Sequence, residues 1–393
     1  MKYVVVVGDG MADYPLKVLK DKTPLEVAST PNMDFIASKG KGGKLVTIPN
    51  GMPRGSDVAN LSLLGYNPEE YYTGRGPLEA ASAGVPLGRG EVAFRCNFIT
   101  EHEGKIEDFT AGHISSQEGK QLIELLNTSR LTTHGKFYTG MSYRNLFVCS
   151  CGADVKAVPP HDITGERIDR NLIKDGEDAE LLNKIMLDSK NILEKSEVNR
   201  KRVAAGHNPA NMIWLWGQGK KPELPDFKEV YGLRGAVISA VDLIKGLGIY
   251  TGLKAISVPG ATGYYDTNYR NKADYALKII EEVDYCYIHI EAPDEAGHEG
   301  NLEMKMKAIE AIDKEIIGRI LDNLENFRIA VVTDHPTPIE IKTHTADAVP
   351  FAVYGPGSNR DEMKAFSEKD ADKGRYTKRK GWELTNILID KIR

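Results

Sequence analysis

Three aspartates and three histidines stand where a folded chain could gather them. Asp9 follows an apolar run over residues 4–7, and Asp294 follows another over 285–290, with His298 four residues beyond it. Asp334 and His335 close a third run that starts at Arg328, and His344 lies nine residues after His335. Ligand sites in open α/β sheets lie at the carboxyl ends of the strands, so these six residues can meet at one edge. Carboxylates mixed with imidazoles suit divalent ions such as Mn²⁺ or Zn²⁺. Without a cation, three carboxylates in one cleft would repel one another and resist ionisation. Each residue taken alone has a plainer reading. A strand-end Asp is usually a turn residue or a helix cap, and a lone His is more often a surface or satisfied core residue.

Ser56 is a candidate nucleophile. It follows Asn50-Gly51-Met52-Pro53-Arg54-Gly55, a loop shaped by glycine and proline, and precedes an apolar helix through Leu61, Leu63 and Leu64. A helix N-terminus presents free N–H groups and favours anions, so a phosphate on Ser56 would be stabilised there. Ser is also a preferred N-cap, and the segment alone leaves both readings open. Gly8-Asp9-Gly10 is no dinucleotide loop: it lacks the third glycine, and Asp9 would oppose a pyrophosphate of like charge. The chain contains no GxxxxGK[ST] phosphate loop. In the middle of the chain, Arg95, Asn97, Arg144, Asn145, His161, Asp162, Arg200 and Arg202 could hold a phosphate or carboxylate, because guanidinium groups pair with both bidentately.

These residues need a scaffold. The run over 4–7 reads as a buried strand of a parallel sheet. Residues 32–38 read as a helix behind Thr30-Pro31. Strand-like runs recur at 285–290, 328–333 and 349–354. Between the first two, Leu302, Met306, Ile309, Ile312, Ile316 and Ile320 recur at helical spacing. Strands alternating with helices imply a doubly wound, mostly parallel sheet. The middle breaks this pattern. It has strand candidates at 92–100 and 146–151, a charged helical stretch over 178–202, and a rich segment over 208–217 that suits a core strand better than a site. The expected organisation is a catalytic domain of residues 1–88 plus 232–393, interrupted by a smaller inserted α/β domain of residues 89–231.

Composition sets outer limits. The 393 residues exceed one ordinary core at about 150 residues per domain. With 41% hydrophobic and 27% charged residues and a net charge of −5, the chain suits a soluble protein with no nucleic-acid partner. No apolar stretch approaches the ~20 residues of a membrane span. The four cysteines, Cys96, Cys149, Cys151 and Cys286, form no CxxC pair and fit free thiols in a reducing cytoplasm.

Several segments together resemble the archaeal-type cofactor-independent phosphoglycerate mutases of the alkaline phosphatase superfamily. They are Val7-Gly8-Asp9-Gly10, the stretch from Gly55 to Tyr66, Tyr72-Thr73-Gly74-Arg75-Gly76-Pro77-Leu78-Glu79-Ala80, and Ala93-Phe94-Arg95-Cys96-Asn97. Val258-Pro259-Gly260-Ala261-Thr262-Gly263, Glu291-Ala292-Pro293-Asp294-Glu295-Ala296-Gly297-His298 and Thr333-Asp334-His335 complete the set. The resemblance spans nearly the whole chain. It implies an alkaline-phosphatase-like fold and a Ser56 that becomes a phosphoserine. Asp9, Ser56, Asp334 and His335 would surround one metal ion, and Asp294, His298 and His344 a second. Mn²⁺ is the first expectation, with Mg²⁺, Co²⁺ or Zn²⁺ as alternatives, and bisphosphoglycerate is not required. The substrate would be a small phosphorylated acid held by the insert while closure excludes water. A branch of the same family labelled as possible homoserine kinases is also similar. A phosphatase and a non-enzymatic metal module are the remaining alternatives.

Overall fold

The computed structural model describes residues 1–392. Thirteen strands occur among them. β1 (Lys2–Gly8) and β2 (Lys41–Val46) open the chain. β3 (Val92–His102), β4 (Lys105–Asp108), β5 (Gly135–Met141), β6 (Arg144–Cys149) and β7 (Met212–Lys220) follow. β8 (Gly235–Ile238), β9 (Lys254–Ile256), β10 (Tyr285–Ile290), β11 (Phe327–Val332), β12 (Val349–Tyr354) and β13 (Tyr376–Lys380) complete the series. The chain forms two compact units: Met1–Tyr72 with Glu223–Arg393, and Thr73–Pro222.

The first unit holds an eight-stranded sheet in the order β13-β2-β12-β11-β1-β10-β8-β9. β1 pairs in parallel with β10 and with β11, and β12 alone runs against its neighbours. The four valines of β1 make it central: a β-branched run with no polar face is stable only when both faces are covered. On one face, Ile36, Ala273, Ile309 and Ile316 pack with Val4, Val6, Ile288 and Val331 in a single core. The opposite face meets the Ser56–Leu63 helix, where the Tyr287 hydroxyl of β10 reaches Asn60.

The amphipathic stretch after Gly300 departs from its expected face. It is an α-helix over Leu302–Ala311, a π-helical turn over Ile312–Gly318 and a short helix over Arg319–Asn323. Lys305 is fully buried, while Met306 is only half-buried. The reason is local. Lys305 Nζ donates to Asp13 Oδ2 at 2.6 Å, to Thr337 O at 2.9 Å and to Ala12 O at 3.2 Å, so the buried charge has three partners.

The second unit is a five-stranded sheet whose pairs are all antiparallel, with β3 bonded to β4, β6 and β7. It begins at Thr73 rather than near residue 89, because the Arg75–Ser82 helix packs Ala80 onto Ala93, Leu146 and Val148. The charged stretch over 178–202 is two helices, Ala179–Leu193 and Glu197–Ala204, the second capped by Ser196. The 208–217 segment leads into β7, with Trp214 and Trp216 in the core. The expectation of four free thiols is corrected. The chain bends at the end of β6 and brings the Cys149 and Cys151 Cα atoms to 5.3 Å, within bridging range, and the two are disulfide-bonded. Cys96 and Cys286 remain free and buried. Among the described residues no helix is long and apolar enough to cross a membrane.

Candidate metal centre

Three adjacent parallel strands deliver the acids. Val7 of β1 lies beside Val332 of β11, and Gly8 lies beside Ile290 of β10. All three strands therefore end level, and the residues that follow face one another across the sheet edge. Gly10 allows the close approach. Its φ is +62°, and a Cβ there would lie 2.7 Å from the Asp294 backbone and carboxylate, so only glycine fits. Asp334 is fixed by Gly10 N–H at 3.1 Å and His335 N–H at 2.9 Å.

Four imidazoles turn Nε2 toward these acids. His298 Nε2 is 3.2 Å from Asp294 Oδ2, and His344 Nε2 is 3.4 Å from Asp294 Oδ1. His335 Nε2 stands between the groups, 3.5 Å from Asp9 Oδ1 and 3.6 Å from Asp334 Oδ2. His289 Nε2 is 3.0 Å from Asp9 Oδ2. Each Nδ1 has a partner of its own. They are Lys342 O at 3.1 Å for His298, Arg54 O at 3.2 Å for His344, Thr337 Oγ1 at 3.3 Å for His335 and Ser239 Oγ at 3.3 Å for His289. Outer partners of this kind orient metal-binding histidines. The ligand atoms form two triads, Asp294–His335–His344 and Asp9–His289–Asp334, each within 4.8 Å.

Electrostatics point the same way. Burial, then the Asp334, Asp294 and Glu291 charges, hold Asp9 well above the usual carboxylate range. Burial also raises Asp294, but hydrogen bonds from His298 and His344 outweigh it and hold this acid well below its usual range. Burial lowers His298, yet Asp294 and the Lys342 carbonyl reverse that and raise it to about 9. Burial takes His289 down to about 4, against the pull of Asp334.

These residues fit divalent cations. A carbonyl oxygen only accepts, so Lys342 O and Arg54 O require a proton on Nδ1 of both His298 and His344. The two Nε2 lone pairs then face each other at 2.9 Å, which is stable only with a proton or a metal ion between them. Both oxygens of Asp9, and His289 Nε2, are buried without a hydrogen-bond partner. A cation satisfies all of them.

Ser56 is not the helix cap. Gly55 takes that position, Ser56 is the first helical residue, and no side chain caps the helix. The Ser56 hydroxyl instead lies 3.1 Å from His335 Nε2. One turn on, Asn60 ties the helix to the acids. Its amide donates to Ser56 O and to Asp334 Oδ2, both at 2.8 Å, and its carbonyl accepts from Tyr287 OH at 2.6 Å. Removing Asn60 strands Tyr287 and one Asp334 oxygen in a buried site. Asn60→Ala is therefore expected to lower stability by about 1–3 kcal/mol. Asn60→Asp, which sets a second carboxylate against Asp334, is expected to cost more. Urea unfolding of both variants checks the order, and an unchanged midpoint in both would remove Asn60 from this network.

The second unit carries a separate cationic cluster. Arg95 and Asn97 alternate on one face of β3, with Trp216 of β7 opposite Arg95 and Arg144 of β6 opposite Asn97. The Arg95 guanidinium sits 4.2 Å over the Trp216 ring, with Nε 3.0 Å from Glu79. Trp216 Nε1 donates to Asn97 Oδ1 at 3.1 Å, and the His161 ring lies 5.2 Å from that of Trp216. Burial, then the Arg95 and Arg75 charges, lower the His161 pKa against the pull of Asp162. Arg200 and Arg202 do not join this group. Arg200 pairs with Glu197 on its own helix, and Arg202 is buried against Asn208 O, Ala111 O and Glu118.

A sequence model of the family described as 2,3-bisphosphoglycerate-independent phosphoglycerate mutase matches residues 37–199. The chain is 54% identical to the 2,3-bisphosphoglycerate-independent phosphoglycerate mutase 2 of Methanothermobacter thermautotrophicus, covering 99% of this chain and 98% of that one. The chain belongs to the 2,3-bisphosphoglycerate-independent phosphoglycerate mutases. A mutase of the same description from Methanothrix thermoacetophila is 51% identical, over 99% of this chain and 100% of its own. A solved Pyrococcus horikoshii protein superposes with a TM-score of 0.85 at 31% identity, covering 99% of this chain and 96% of its own. The cofactor-independent phosphoglycerate mutase of Thermoplasma acidophilum gives 0.68 at 28%, with both chains fully covered.

Sequence reasoning missed four residues of this cluster. His289 lies inside an apolar run, and that was its signal: an imidazole in a doubly covered strand needs a buried partner. Tyr287, two positions earlier on the same face, gives the same signal. Asn60 and Thr337 have none in the sequence, because their partners arrive from other segments. Thr337 donates a short hydrogen bond to Asp294 and faces His335.

Proposed function

We propose that this chain interconverts 3-phosphoglycerate and 2-phosphoglycerate in the cytoplasm, through a phosphoserine on Ser56 and without bisphosphoglycerate. The observation that supports it best is the Ser56 hydroxyl, at a helix N-terminus and turned toward buried acids and imidazoles instead of its own backbone. Asp9, Ser56, Asp334 and His335 would hold one divalent ion, and Asp294, His298 and His344 the other. Manganese is the ion expected. When bound, the two ions lower the pKa of a serine hydroxyl and offset charge on the transferring phosphoryl group.

The protein's own groups do the rest. Ser56 Oγ attacks phosphorus in line, the bond from phosphorus to the C3 oxygen breaks, and the serine proton in net terms ends on that oxygen. The 2-hydroxyl oxygen then attacks the phosphoserine phosphorus, the bond from phosphorus to Oγ breaks, and in net terms the 2-hydroxyl proton returns to Oγ. The free N–H groups at the start of the Ser56–Leu63 helix favour the phosphorylated side chain. Between the two steps glycerate must stay bound and water must stay out. Arg95, Asn97, Arg144, His161 and Asp162 of the second unit are the residues assigned to bind the substrate, guanidinium groups being suited to its carboxylate. The homoserine-kinase alternative is not favoured, since the relatives that match along the whole chain carry the mutase description.

The test is an enolase-coupled assay with 3-phosphoglycerate, Mn²⁺ and neither ATP nor bisphosphoglycerate. Steady formation of 2-phosphoglycerate is the expected result, with no dilution of label by added unlabelled glycerate. Release of inorganic phosphate at the same rate would make the chain a phosphatase.

A further inference from the structure

The seven residues assigned above leave one member of the cluster without a role. We propose that His289 is a further protein ligand of the ion held by Asp9 and Asp334. It rests on the two-ion reading but adds a residue that reading does not contain.

His289 lies in β10, beside Val7 of β1. Its side chain points to the same face as Tyr287, where the Ser56 helix packs. It is fully buried, and so are Asp9 and Asp334. Its Nε2 comes within 3.0 Å of Asp9 Oδ2. That is close enough for a hydrogen bond, but none forms. Nε2 and both Asp9 oxygens are buried without a hydrogen-bond partner. Three polar atoms converge inside the protein without bonding to one another. Metal–ligand bonds of about 2.0–2.2 Å place neighbouring ligand atoms roughly 3–4 Å apart, so this spacing suits donors that share an ion. Asp334 supplies the third donor, within the same 4.8 Å limit.

The surroundings hold His289 for this purpose. Ser239 Oγ faces Nδ1 at 3.3 Å and itself accepts from Val241 N–H at 3.0 Å. For Nε2 to offer a lone pair to an ion, Nδ1 carries the proton and donates it to Ser239 Oγ, which fixes the tautomer and the ring plane. Lys272 Nζ, also buried, donates to His289 O at 3.2 Å and pins the backbone from the other side.

Metal content decides the matter without any assay of turnover. Wild-type protein, His289→Phe and Ser239→Ala are loaded with Co²⁺ and desalted. Bound metal is then counted by mass spectrometry, affinities come from chelator competition, and the visible Co²⁺ absorption is recorded. Wild type is expected to keep two ions. His289→Phe is expected to keep one, with the other bound at least about 100-fold more weakly and its absorption bands lost. Ser239→Ala, which alters only the outer contact, is expected to weaken that same ion about 10–100-fold. Two ions in His289→Phe, with unchanged bands and affinities within threefold, would overturn the proposal. Should His289→Phe fail to fold, unchanged affinity in Ser239→Ala overturns it instead. Fewer than two ions in wild type removes the two-ion reading and this inference together. A missing mutase activity in a protein that binds both ions touches only the substrate.

Discussion

Ser56→Ala is expected to abolish mutase turnover, by at least about 10⁴-fold, while leaving the protein almost as stable as before. Loss of a nucleophile acts on that scale. The two halves of this expectation separate chemistry from architecture. A serine that capped its helix would cost about 1 kcal/mol on truncation. Ser56 makes no such bond, because Gly55 holds the cap position and the hydroxyl faces His335 at 3.1 Å. The thermal midpoint should therefore move little. Wild type mixed with 3-phosphoglycerate and quenched in acid should show a phosphoserine at residue 56 by peptide mass spectrometry, and the variant none. Turnover surviving in Ser56→Ala, with or without a stability loss, would show that the phosphoryl group travels by another route.

Removing the metal should have the second-largest effect. Dialysis against a strong chelator is expected to bring turnover below detection, and added Mn²⁺ to restore it. A smaller loss of stability should accompany it. A ligand present at 100 times its dissociation constant stabilises the folded state by about 2.7 kcal/mol. Differential scanning calorimetry at fixed Mn²⁺ reads that shift. The sign follows from the acids: Asp9, Asp294 and Asp334 are packed together in a buried site, and burial with its acidic neighbours already holds Asp9 well above its usual range. Full activity in protein shown to be free of metal would end the two-ion account.

The acids at the sheet edge were legible in the sequence because their signal is local. An apolar run that stops at an acid marks a strand end, and Asp9, Asp294 and Asp334 each follow such a run. The structure brings them together because β10, β1 and β11 are neighbours with matching ends. Residues that work from inside a strand or helix were harder. His289 and Tyr287 sit in positions where a strand pattern expects hydrophobic groups, and Asn60 looks like any polar residue on a helix. Lys305 shows the limit of periodicity. Helical spacing favours Met306 as the buried residue, but Ala12 and Asp13 supply two acceptors for Lys305 and Thr337 a third, and a charge so well paired can be buried. The π-helical turn over Ile312–Gly318 then changes the phase of the same stretch, which no spacing rule anticipates. Arg202 failed as a candidate for the opposite reason. Its side chain is consumed by carbonyls of its own unit, and a guanidinium in a sequence does not reveal its partners.

The central place of β1 has a consequence for how the chain is made. Val4 is the partner of Cys286 on one side and of Ile329 on the other. Both partners come off the ribosome after the whole Thr73–Pro222 unit. At roughly 5–20 residues per second, the most hydrophobic strand of the sheet waits for tens of seconds before either neighbour exists. The intervening unit has a sheet and core of its own and can close them in that interval. Birth of this protein is thus out of order: the insert can fold first, and the strand synthesised first is among the last to be sealed. Long-range pairing of this kind slows folding and leaves an apolar segment exposed meanwhile, which makes β1 the natural client of a chaperone during synthesis.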